Sequence, residues 1–69
     1  MTPEQFEALA LLMKLRQSAS RNALRLVLVD GMTHAAAASQ AGAIRTDVTR
    51  QVGKAKKIIA LAKLVHASE

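Results

Sequence analysis

Apolar residues recur along the chain at three- and four-residue steps, the period of helices that turn one face inward. Phe6, Leu9, Ala10 and Met13 do so behind the opening TPEQFEAL, where Thr2 can cap, Pro3 takes the first helical position and Gln5 closes a capping box. This predicts a helix over 3–15. A polar break, RQSAS, offers Ser18 or Ser20 as the cap of a second helix whose Ala23, Leu24, Val27 and Leu28 share a face. That helix should end at Gly31, in the left-handed position just past its last turn. The tetrad Leu26 to Val29 has strand-like branching, but its lead-in is helical. Thr33 caps a short third helix, HAAAASQA, which Gly42 stops. A fourth helix starts between Arg45 and Asp47 and runs to about His66, interrupted only by Gly53, which costs about 1 kcal/mol in a helix interior.

The pattern therefore predicts an all-α fold of four helices, five at most, with an extended C-terminal helix and one domain over 1–69. No repeat or linker divides the chain.

Composition agrees. The 69 residues hold no cysteine, which excludes disulfides, thiolate metal sites and a cysteine nucleophile, and Phe6 is the single aromatic. Alanine and leucine dominate the apolar half, as helices favour. Without aromatic faces on which bases can stack, binding to single strands or RNA loops is disfavoured. Apolar runs such as Ala8 to Met13 and Leu26 to Val29 fall far short of the roughly 20 residues a bilayer demands. No basic segment followed by a cleavage site opens the chain, so a cytoplasmic location is expected. Paired carboxylates, phosphate loops and nucleophile elbows are missing, and so short a chain has little room for a concave site; the expectation is no enzyme, no cofactor and no small-molecule substrate. His34 and His66 lack partners at metal-ligand spacing.

Charge changes the picture most. Ten Lys and Arg face five Asp and Glu, and Arg45, Arg50, Lys54, Lys56, Lys57 and Lys63 crowd the C-terminal third. A basic stretch on one element suits a polyanion partner and suits a plain solvated face about equally. What tips the balance is the order of elements over 33–54: a short Ala-rich helix, a glycine turn and a helix with Val48 and Val52 inward, the spacing of a helix-turn-helix. In such a unit the second helix enters the major groove with its first residues against base edges. The candidate base readers are Arg45, Thr46, Thr49, Arg50 and, one turn on, Lys54. Arginine's fork can bond O6 and N7 of guanine, and threonine offers a hydroxyl or a methyl. Thr33, His34, Lys56 and Lys57 are the candidate phosphate contacts. Arg45 and Arg50 also suit a solvated surface, and Thr46 serves equally well as a helix cap. The inward seam should run Val48, Val52, Ala55, Ile59 and Ala62.

In three stretches, TPEQFEAL from Thr2, LVLVDGMTHAAAASQAG from Leu26 and GAIRTDVTRQV from Gly42, the chain resembles the KorA (TrfB) family of plasmid-borne transcriptional repressors. The resemblance covers roughly the first fifty-five residues. It implies a homodimer that binds a short palindromic operator on double-stranded DNA and represses promoters. Arg45 matches an arginine of the family; Thr49 stands for serine, Arg50 for a common glutamine and Lys54 for a common arginine. Ile44 replaces the family's capping Thr or Ser, so the recognition helix is expected to start later, at Thr46. Arginine at position 50 shifts the donor pattern from adenine toward guanine. Longer members continue into a dimerisation segment; here a second apolar set, Ile58, Leu61 and Val65, is expected to form the dimer contact or to dock on a partner. Two other readings stay open: a module binding an acidic protein, and a non-specific coat on DNA.

Overall fold

A computed structural model describes the backbone of residues 1–67 and the side chains through His66. It contains four helices: α1 (Pro3–Met13), α2 (Ala19–Leu28), α3 (His34–Ala41) and α4 (Arg45–Ala67). The fold is all-α, as the periodicity requires.

Each start is fixed by a side chain with local reach. Thr2 accepts from the Gln5 N–H at 3.1 Å while the Gln5 side chain accepts from the Thr2 N–H at 2.9 Å, completing the capping box. Ser18, not Ser20, caps α2, and Thr33 caps α3. Helix α1 ends earlier than the pattern suggests, at Met13, because Lys14 adopts a left-handed conformation with φ of 54°. The next N–H, of Leu15, turns back to the Ala10 carbonyl. Helix α2 ends at Leu28, earlier than expected: its cap residue is Val29, and Gly31, left-handed as expected (φ 73°), stands two residues beyond the cap instead of directly after the last turn.

The core is small and drawn from all four helices: Phe6, Leu9 and Ala10 of α1, Ala23 and Leu24 of α2, Ala37 and Ala38 of α3, and Val48, Val52 and Ala55 of α4. Helix α2 is central and touches the other three. Alanine at five of these ten positions lets helix axes come close, which is how a core with a single aromatic closes. The expected seam of α4 holds only in part. Ile59 is half-buried and Ala62 exposed, since α4 outruns the helices it packs on; the molecule measures 40 × 19 × 18 Å.

Arg21 joins α1 to α2. Its guanidinium donates to Glu7 at 2.8 Å and to the Leu15 carbonyl at 3.4 Å, and lies 5.8 Å from the centroid of the Phe6 ring.

Candidate functional site

The site is built on α3, a three-residue turn and α4. Gly42 caps α3 with φ of 72°, and the Ala43 N–H closes back on the Ala38 carbonyl at 2.8 Å. Such a turn needs the left-handed backbone that glycine adopts without steric cost. Ala37 and Ala38 are buried on one side, Val48 and Val52 on the other. These contacts fix the roll of α4 and so decide which side chains face outward.

Helix α4 begins at Arg45, with the Ile44 carbonyl accepting from the Val48 N–H at 3.1 Å. The expected later start at Thr46 is corrected: Thr46 lies inside the first turn, exposed, and does not cap. Backbone geometry opens the helix without a capping side chain, and Asp47 in the first turn complements the positive helix terminus instead.

Arg45, Thr46, Thr49, Arg50, Gly53, Lys54, Lys56 and Lys57 are all exposed. They do not share one face. With about 100° between successive residues, Thr46, Thr49, Arg50, Gly53 and Lys57 fall within an arc of about 100°. Arg45 and Lys56 border that arc on one side, and Lys54 lies roughly 180° round from Arg45. The five candidate base readers thus span both edges of the exposed surface, while Thr46 and Gly53 stand nearest its central line.

His34 Nδ1 and Thr49 Oγ1 are 3.1 Å apart, a hydrogen bond that ties the first turn of α3 to the second turn of α4. Two side chains assigned separately in sequence therefore act together. No periodicity links positions 34 and 49, so only the folded chain reveals the pair. The Thr33 hydroxyl accepts from the Ala36 N–H at 3.2 Å, which caps α3; the N–H groups of His34 and Ala35, in the first turn, have no partner within the helix. Arg50 lies 3.8 Å from Asp47, and its side chain is 78% exposed. An exposed pair of this kind contributes little and leaves Arg50 able to move.

Gly53 is the residue that sequence reasoning passed over. It sits at the middle of the outward arc, with neither a positive φ nor any neighbour within 4 Å of where a Cβ would stand. Nothing within the chain requires a glycine there.

The apolar set at the far end of α4 divides. Ile58 packs against the core and, with Leu9, Leu12, Ile59 and Ala62, lines a groove of about 380 Å³ between α1 and α4. Part of Ile58 is thus spent on the chain's own core, and the rest faces the groove. Leu61 and Val65 are 53% and 64% exposed. Among the described residues no cluster of His, Asp and Glu could hold a metal, and no helix is long and apolar enough to cross a membrane.

No known protein family, characterised protein or solved structure matches the chain.

Proposed function

We propose that this chain is a sequence-specific repressor that binds double-stranded DNA through α4, as a homodimer on a short palindromic operator. The observation that carries the reading is the juxtaposition of a glycine turn, two helices locked by buried alanine and valine, and an exposed α4 surface that carries Arg45, Arg50, Lys54, Lys56 and Lys57 against the single acid Asp47. Arg45, Thr46, Thr49 and Arg50 occupy the stretch that enters the major groove in such units, and Lys56 and Lys57 lie where the helix leaves it. Lys54, on the far edge, serves the phosphate backbone better than a base. His34 and the open N–H groups of α3 suit a phosphate on the near strand. The resemblance to KorA repressors supports the same reading and supplies the step from binding to repression, by occupation of promoter DNA in the cytoplasm. No cofactor or small molecule enters the mechanism.

Selection of bound duplexes from a random pool at about physiological salt tests the proposal. A palindromic consensus with half-sites about 10 bp apart is the expected outcome. Recovery of duplexes without a consensus overturns it, and would leave only salt-dependent attraction to the backbone.

A further inference from the structure

The glycine at position 53 gives away helix stability and receives nothing for it inside the chain: its φ is ordinary, its surroundings are empty and its face is solvent. A Cβ added there would meet no side chain within 4 Å. Its neighbours on the helix surface are Thr46, Thr49, Arg50, Lys56 and Lys57, at steps of three, four and seven residues. The chain thus carries a side-chain-free notch at the centre of its basic surface, and room at that point has value only to something outside the chain.

Resting on the reading of α4 as the helix that enters DNA, we propose that Gly53 is the point where a sugar–phosphate strand passes against the α4 backbone, with Lys56 and Lys57 gripping its phosphates. The position fits. Gly53 lies eight residues beyond Arg45, about 12 Å along the axis, and the major groove is itself about 12 Å wide. A helix that places Arg45 and Thr49 among base edges crosses the groove's wall near Gly53. There a Cβ would hold the strand away from both lysines.

Thermal unfolding and duplex binding, measured together for the wild type, Gly53→Ala and Gly53→Leu, test the inference. Alanine should raise Tm by roughly 4–8 °C and still weaken binding about tenfold; leucine should weaken it further. Because the backbone carries no sequence information, the loss should be equal on the selected operator and on a random duplex. Unchanged affinity in Gly53→Ala overturns the inference and leaves the proposed function standing. Equal losses for alanine and leucine also overturn it, since glycine would then supply backbone freedom and not room. A loss confined to the operator would place Gly53 on a base edge and overturn the strand assignment. Failure of the wild type to bind any duplex removes the proposed function, and this inference with it.

Discussion

Thr49 carries two groups that could meet a base, a hydroxyl and a methyl. Its hydroxyl shares one hydrogen bond with His34 Nδ1 at 3.1 Å, which ties that oxygen to α3 and leaves part of its bonding capacity open; under the proposed function, the methyl meets a thymine methyl. Thr49→Val keeps the methyl and should retain the base preference, with a modest stability loss from the broken link to α3. Thr49→Ser keeps the hydroxyl and should relax preference at one base pair by about 0.8 kcal/mol, the worth of one buried methyl. Competition between an operator and its copy with uracil for thymine provides the check: wild type and Thr49→Val should discriminate, and Thr49→Ser should not. The opposite ranking would show that the hydroxyl does the reading. At this scale the sequence was a partial guide. It marked Thr49, Arg50 and His34 as candidates because charge and position on a helix are local properties. It could not pair His34 with Thr49, place Arg21 over Phe6 or show that Gly53 faces empty space, since each depends on how separate helices settle against one another.

Helices, by contrast, were largely legible from their ends. Thr2, Ser18, Thr33 and Gly42 carry capping chemistry that acts within three or four residues, and all four fall where the pattern puts them. The boundaries that moved are those set by residues without such chemistry. Ile44 precedes α4 and cannot cap, yet the helix starts beside it because Val48, buried in the core, holds the first turn in place. Lys14 ends α1 in the left-handed conformation that a glycine would occupy more cheaply, and no turn preference of lysine announces it. That strain is testable. Lys14→Gly should stabilise the domain by about 0.5–1 kcal/mol, the relief of a side chain in the left-handed region less the backbone entropy glycine loses on folding. Gly42→Ala, the reverse change at an equivalent helix end, should destabilise by the same amount, about 0.5–1 kcal/mol. Urea unfolding monitored by helicity reads both, and a Lys14→Gly variant no more stable than the wild type would contradict this account of the α1 terminus.

For the molecule as a whole, the overhang of α4 matters most. A chain of this size has a thin stability margin, yet it exposes Leu61 and Val65 on a helix that has outrun its own core. Apolar residues at such an end are the natural contact for a second copy under the proposed function, and the lengths agree. Sixteen residues separate Thr49 from Val65, about 24 Å of helix, so two copies joined near Val65 can hold their outward arcs up to about 48 Å apart. Successive major grooves on one side of B-DNA lie about 34 Å apart, a spacing reached when the two helices cross at an angle. Replacing both Leu61 and Val65 by glutamate should therefore leave the fold intact, since neither belongs to the buried core, while shifting the protein to monomer in sedimentation equilibrium. Binding to a full palindrome should weaken by at least a hundredfold, whereas the much weaker binding to an isolated half-site should stay within about threefold, because only the second contact is lost. If the double variant binds the full palindrome as tightly as the wild type, the dimer contact lies elsewhere, and the groove between α1 and α4 becomes the surface to mutate.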